Sequence, residues 1–204
     1  MTDLKLRYAP TSPFARKVRV FAAEAGLTQS IELVPNNPYD PANDLLSVNP
    51  LGKIPALESR DGIFNGSMLI CLYLDTRHDG ARLIPSEPKD RWPALQLHAL
   101  AEGTTDAAVA ISQERGRRPA EKLHQPVVER QLGKIERTLA AIDGLAPQFA
   151  RRVDLGTIAV GCALGYLDLR LKELDWRTPS PRLRDWYAGF SQRPAMLLTK
   201  PPEA

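Results

Sequence analysis

Asn49-Pro50-Leu51-Gly52-Lys53-Ile54-Pro55-Ala56-Leu57 is the stretch on which the reading of this chain turns. It sets two prolines, a glycine and a lysine ahead of a short apolar run. Proline has no N–H and a fixed φ, so Pro55 can open a strand but cannot occupy its middle. Two readings stand. Either Pro55 marks an ordinary loop-to-strand junction, or the Ile54-Pro55 bond is cis and turns the backbone sharply. In the second case the N–H and C=O of Ile54 face outward and can pair with an extended peptide as a sheet edge does.

The residues around this stretch define a short αβ unit. Leu4-Lys5-Leu6-Arg7-Tyr8 alternates apolar and basic side chains, the pattern of a half-buried strand. After the turn Ala9-Pro10-Thr11, Ser12 is a good N-cap and Pro13 suits the first helical position. Ala15, Val18, Ala22 and Ala25 then form an apolar stripe, and Gly26 stops the helix. Ser30–Val34 reads as a second strand. Asp40-Pro41 opens a short helix through Val48. Ile54–Glu58 is a third strand, Asp61-Gly62 a hairpin turn, and Ile63-Phe64 a fourth strand. Ser67 caps a helix, Met68–Asp75, that is apolar nearly all round. The predicted order is β-α-β-α-β-β-α.

The remainder is helical. Arg77–Pro88, with Gly80, Pro85 and Pro88, has linker composition, and no strand signal follows it. A helix is predicted over Lys89–Arg115, and a second from about Glu121 to Ile142, kinked near Pro126 and ended by Gly144. The second carries Val128, Leu132, Ile135, Leu139 and Ile142 at near-heptad spacing. Asp154 caps a third helix containing Ile158, Cys162 and Leu169, with Gly161 and Gly165 allowing close packing. Ser180-Pro181 opens a last helix with Leu183, Trp186, Tyr187 and Phe190.

Composition narrows the function classes. The 204 residues are 43% hydrophobic and 25% charged, as in a globular protein. No apolar run approaches the ~18 residues that cross a bilayer, and Met1–Lys5 lacks the apolar core of a signal peptide. A net charge of +3, with basic residues scattered among acids, does not indicate nucleic acid. The densest basic cluster is Arg115-Gly116-Arg117-Arg118. Cys71 and Cys162 lie in apolar helical stretches and fit buried, reduced thiols. His78, His98 and His124 have no ligand spacing, so no metal is expected. The expected location is the cytoplasm.

Four segments carry a family resemblance. Tyr8-Ala9-Pro10-Thr11-Ser12-Pro13-Phe14-Ala15-Arg16-Lys17-Val18-Arg19 resembles the first strand–helix junction of a bacterial glutathione S-transferase. The Asn49–Leu57 stretch resembles that family's cis-proline segment, and Asn65-Gly66-Ser67 falls where it keeps an acid–serine pair. Gly161-Cys162-Ala163-Leu164-Gly165-Tyr166-Leu167-Asp168 resembles the central helix of its all-helical domain. The match spans nearly the whole chain and is closest to the bacterial YibF-like subgroup. It implies an α/β thioredoxin-like N-terminal domain, with a four-stranded mixed sheet and about three helices, joined to an all-α C-terminal domain. The expected boundaries are 1–76, a linker at 77–88, and 89–204.

The resemblance also implies a chemistry: glutathione as co-substrate, no permanently bound cofactor, a small electrophile as second substrate, and a detoxifying role. A homodimer is expected, with neither nucleic acid nor membrane as partner. Conjugation needs a thiolate, and a thiol of pKa about 8.5 is only a few per cent ionised at pH 7. A helix N-terminus and a donating hydroxyl both lower that pKa. Ser12 stands at the junction where the family places such a hydroxyl, although as a local feature Ser before Pro reads as a cap. Thr11 and Tyr8 are its rivals, Tyr8 reading as a packing residue. A thioredoxin-type dithiol needs Cys-x-x-Cys at this junction, and Ser12-Pro13-Phe14-Ala15 excludes it.

For the rest of the tripeptide, the resemblance assigns the Ile54 backbone to the cysteinyl part, with Pro55 setting the bend. Lys53 meets the glycyl carboxylate or is a solvated loop lysine. Ser67, opening the third helix, holds the γ-glutamyl carboxylate, as helix N-termini hold anions. Gly66 departs from the family, whose carboxylate there faces the ligand ammonium, so binding is expected to weaken by about 1–3 kcal/mol unless another acid substitutes. Asp106 is the candidate, reaching across a dimer interface; its other reading is an exposed helix acid. The family's electrophile pocket lies between the domains, with Phe14 and Ile111 as lining candidates and Arg115 or Arg118 steering an anion or simply solvated. The alternative function is a binding or regulatory protein on the same fold with little catalysis, for which Gly66 argues.

Overall fold

A computed structural model describes residues 3–40 and 42–202. The chain forms two compact units. The first runs through Ser86 and takes back Pro194–Pro202, and the second spans Glu87–Arg193. The sequence reading leaves 89–204 together in the helical domain, whereas the last segment returns to the first unit.

In the first unit β1 is Leu4–Tyr8, α1 Pro13–Glu24, β2 Ile31–Pro35, α2 Leu45–Val48, β3 Ala56–Ser59, β4 Gly62–Asn65 and α3 Ser67–Asp75. The observed order is the predicted β-α-β-α-β-β-α. The sheet order is β2-β1-β3-β4, with β1 parallel to β2 and both other pairs antiparallel. This is the mixed four-stranded sheet expected. The alternation in β1 does what it predicts: Leu4 and Leu6 are buried and Lys5 is exposed. Ala15, Val18, Phe21 and Ala22 of α1, with Ile70 and Leu74 of α3, complete the core. Gly26 sits at φ +72°, the left-handed stop that ends α1.

Three local readings change. β3 starts at Ala56 rather than Ile54, because Pro55 has no N–H to give the ladder. The short helix opened by Asp40-Pro41 is confined to Leu45–Val48; Pro41 itself lies outside the described residues. Ser67 is not the cap of α3 but its first helical residue, with Gly66 in the cap position and no side-chain cap bond.

The second unit holds α4 Pro88–Arg117, α5 Gln125–Phe149, α6 Leu155–Arg170 and α7 Pro181–Phe190. α6 is its central helix, buried from Leu155 to Leu164, and it packs on α4 and α7. The α4 approach is tight at Gly156, where a Cβ would come within 2.5 Å of the Ala94 carbonyl oxygen. Asp154 and Thr157 close a full reciprocal cap: Thr157 N–H donates to Asp154 Oδ1 (3.0 Å) and Asp154 N–H to Thr157 Oγ1 (2.9 Å). The sequence reading grants only the first bond, yet a threonine hydroxyl at this position serves as well as a carboxylate.

α7 is not the last helix. Pro194–Leu198 forms α8, which belongs to the first unit and packs on α1. There the buried Arg16 donates from Nη2 to the Met196 carbonyl at 3.1 Å. No helix of the described chain is long and apolar enough to cross a membrane.

Candidate functional site

Sheet register brings the predicted residues together. Arg7 of β1 pairs with Ala56 of β3, and Ala56 with Asn65 of β4. The segment after β1, the segment before β3 and the segment after β4 therefore emerge at one end of the sheet. They carry Ser12, Ile54-Pro55 and Gly66-Ser67 respectively.

Ser12 is the cap of α1. Its Oγ accepts the Ala15 N–H at 3.2 Å, and Pro13 follows in the first turn. A hydroxyl has one hydrogen to donate and two lone pairs to accept with. Capping therefore uses only the accepting side and leaves the Ser12 hydrogen to donate. The two readings of this serine are compatible. Thr11 is half-buried in the preceding turn. Tyr8 is half-buried with the Arg19 guanidinium 5.1 Å from its ring centroid.

The Ile54-Pro55 peptide is cis. Ile54 is half-buried, and no backbone bond within the described residues engages its N–H or C=O. The loop before it is held by a residue that the sequence reading quotes without assigning a role. Asn49, 1% exposed, donates from Nδ2 to the Lys53 carbonyl (2.6 Å), and its Oδ1 accepts from the Leu51 N–H (3.0 Å). Its own carbonyl accepts from Gly52 N–H, where φ is +60°. An asparagine between an apolar helix and Pro-Leu-Gly was the available signal, since its side chain bonds backbone two residues on. The Lys53 side chain is exposed.

Ser67 is 4% exposed at the start of α3, where the first-turn N–H groups have no intrahelical acceptor. Gly66 adopts φ +88°, ψ 136°, a conformation that side-chain-bearing residues rarely take. Its N–H reaches the Pro55 carbonyl at 3.4 Å, linking the two segments directly. The departure at Gly66 therefore has a backbone counterpart.

The other candidates lie on different elements. Phe14 is the half-buried second residue of α1. Asp106, Ile111 and Arg115 belong to α4 in the second unit; Ile111 is 1% exposed and Asp106 is exposed. Arg115 pairs with Glu173, whose backbone and side-chain hydrogen bonds hold its carboxyl below the usual range, and Arg118 pairs with Glu114 at 2.7 Å. Both arginines are thus engaged with acids of their own unit.

A mixed four-stranded sheet with its helices, followed by an all-helical unit, is the two-part architecture of this chain. Residues 11–77 match the model of the glutathione S-transferase N-terminal domain, and residues 125–189 that of its C-terminal domain. The chain belongs to the glutathione S-transferase family. It is 31% identical to the GST-like protein YibF of Escherichia coli K12, over 98% of this chain and all of that one. A glutathione transferase family member from Pseudomonas fluorescens Pf-5, solved with bound glutathione, superposes with a TM-score of 0.94. The identity is 41%, over 98% of this chain and 99% of that one. A glutathione S-transferase from Methylobacillus flagellatus KT, also with glutathione bound, gives 0.91 at 41% identity, over 98% and 100%.

Proposed function

We propose that this chain binds glutathione at the shared end of its sheet and transfers the thiolate to a small electrophile. The observation that carries the reading is the convergence there of three complementary groups. The cysteinyl backbone pairs with the open N–H and C=O of Ile54, beside Pro55. The γ-glutamyl carboxylate takes the first-turn N–H groups of α3 and the Ser67 hydroxyl. The sulfur lies at the N-terminus of α1, where Ser12 donates the hydrogen that capping leaves unused. Lys53, on the exposed rim, attracts the glycyl carboxylate. The α1 dipole contributes about 0.3–1 kcal/mol to the thiolate and the Ser12 bond roughly 1.5–3. The binding of glutathione by the Pseudomonas and Methylobacillus relatives supports this reading.

Conjugation then follows as thiolate attack on the electrophilic carbon, with expulsion of its leaving group or protonation of the adduct. Phe14, one residue past Pro13, offers the electrophile an apolar contact. Ile111 and Arg115 are further pocket candidates, and Asp106 a carboxylate from a second copy that replaces the one absent at Gly66. A homodimer in the cytoplasm, serving detoxification, completes the proposal. Ile63 on β4 and Leu69 on α3, 49% and 47% exposed, suit a subunit contact.

Isothermal titration with glutathione tests the reading. Saturable binding that Ser67→Ala weakens supports it. No binding at millimolar glutathione overturns it in favour of a binding or regulatory protein on the same fold.

A further inference from the structure

α1 carries its charges in the reverse of the order that a helix favours. The macrodipole is positive at the N-terminus, so acids suit the first turns and cations the last. Pro13–Glu24 instead sets Arg16, Lys17 and Arg19 within two turns of its start, has no acid in its first turn, and ends on Glu24. Arg16 lies one turn behind Ser12, and its N–H donates to the Ser12 carbonyl at 2.9 Å.

Arg16 is 6% exposed, and no carboxylate pairs with it among the described residues. Its Nη2 bonds the Met196 carbonyl at 3.1 Å, while its buried Nε has no acceptor. A guanidinium has five N–H donors, and a buried cation with one neutral acceptor is costly. An apolar side chain would pack on α8 without that cost, so the tie to α8 does not account for the charge. Arg19 is half-buried against the Tyr8 ring and likewise has no acid partner among the described residues. Burial lowers the Arg19 pKa; Tyr8 opposes this and the Arg16 charge adds to it. Two guanidinium charges thus stand on the helix that opens at Ser12, and neither is neutralised by a carboxylate.

We propose that Arg16, supported by Arg19, supplies a positive field that lowers the pKa of the glutathione thiol at the N-terminus of α1. The inference rests on the proposed thiolate site and adds to Ser12 a residue that tunes it without touching the sulfur. At 1.5 Å rise per residue, the Arg16 and Arg19 Cα atoms lie about 6 and 10 Å along the axis from that of Ser12. Over such spans a charge shielded from water still acts on an anion. The thiolate supplies the negative charge that α1 itself lacks near its start.

The test is ultraviolet titration of the thiolate in the glutathione complex of the full chain, with calorimetric affinities at about pH 5.5 and about pH 8. Arg16→Met should raise the thiol pKa by about 0.5–1 unit. It should weaken binding at the higher pH, where the bound thiol is ionised, and leave it unchanged at the lower. Arg16→Lys keeps the charge and should stay near the parent pKa, whatever either variant loses in melting temperature. Arg19→Met should raise the pKa by less, and it carries the test if Arg16→Met does not fold. An unchanged thiol pKa in the variant that carries the test, or an Arg16→Lys shift as large as that of Arg16→Met, overturns the inference and leaves Arg16 as a tie to α8. Absence of glutathione binding by the parent overturns it together with the reading it rests on; binding with an unmoved pKa overturns it alone.

Discussion

Replacement of Ser12 separates two roles that one hydroxyl performs at the start of α1. Its oxygen accepts the Ala15 N–H, and Ser-to-Ala at such a cap costs about 1 kcal/mol of stability. Its hydrogen is assigned to the glutathione thiolate, and a bond to a charged acceptor contributes roughly 1.5–3 kcal/mol. At 1.36 kcal/mol per unit, that bond lowers the thiol pKa by about 1–2 units. The bond favours the deprotonated form, so its loss raises the pKa. In Ser12→Ala the thiolate fraction at pH 7 therefore falls ~8- to 25-fold, since an unaided thiol of pKa about 8.5 keeps a few per cent ionised, and the deficit closes above pH ~9, where the thiol ionises unaided. Ser12→Asp supplies the discriminating control. A carboxylate caps the helix and restores stability, but it has no hydrogen to give and adds like charge beside the sulfur. The assay is the pH profile of conjugation with a chloronitrobenzene electrophile, alongside thiolate ultraviolet absorbance of the glutathione complex and urea unfolding. Ser12→Ala should lose both stability and low-pH rate; Ser12→Asp should lose rate alone. An unchanged thiol pKa in Ser12→Ala, or full activity in Ser12→Asp, refutes the argument and moves the role to Thr11 or Tyr8.

Other substitutions address the frame around the site. Asn49→Ala removes two side-chain bonds to the loop, costing about 2 kcal/mol at roughly 1 each; urea unfolding should show this, and calorimetry a weaker glutathione affinity. Gly66→Asp places a side chain at φ +88° with nothing within 4 Å of its Cβ, so the penalty of about 1–3 kcal/mol is conformational; thermal unfolding should register the loss, while calorimetry should show tighter glutathione binding if the missing carboxylate limits affinity. Thr157→Val keeps the shape at 0% exposure but strands the Asp154 N–H, lowering unfolding free energy by about 1–3 kcal/mol. Arg7 bonds Glu58 (2.8 Å) and both oxygens of Asp44 (2.8 and 3.0 Å). Desolvation opposes ionisation of Asp44, but the bonds from Arg7 and Asn36 and the Arg7 charge prevail and hold its pKa below 3.8. A depressed carboxylate pKa stabilises above the unfolded value and is lost as pH falls through the folded one. The stability gap between the parent and Arg7→Met should therefore be full at neutral pH and narrow below 3.8; a gap that is flat with pH would show that Arg7 acts by packing alone.

Much of this architecture is legible residue by residue, and the exceptions share a cause. Leu4-Lys5-Leu6 and Ser12-Pro13 announce their strand and helix because the signal and the structure are equally local. α5 shows where local rules mislead. Pro126, read as a kink in a helix from Glu121, lies in the first turn of a helix that starts at Gln125, where a missing N–H costs nothing. At the other end the helix runs through Gly144 and Pro147, since Ile142, Ala146 and Phe149 keep burying the same face. A tertiary stripe outweighs the ~1 kcal/mol that a helical glycine forfeits. α8 and its tie to Arg16 join residues 180 positions apart. The Leu183 N–H at the start of α7 is capped from α5 by the buried Asp143, at 2.8 Å. No window of sequence contains both partners of either contact.

The candidate site is intermediate between these cases. Each of its three segments has a local signature: a capping serine before proline, a proline at a strand start, a serine opening an apolar helix. Each signature alone also fits a structural role. What turns them into a site is the pairing of Arg7 with Ala56 and of Ala56 with Asn65, a register that local patterns do not specify. A slip of one residue in β3 would turn Leu57 out of the core. Leu57 is fully buried, so the register that buries it is the one that sets Ile54-Pro55 beside Gly66-Ser67. The packing of the sheet and the geometry of the site thus rest on the same residues, and a substitution that disturbs Leu57 should lose glutathione binding together with stability rather than after it.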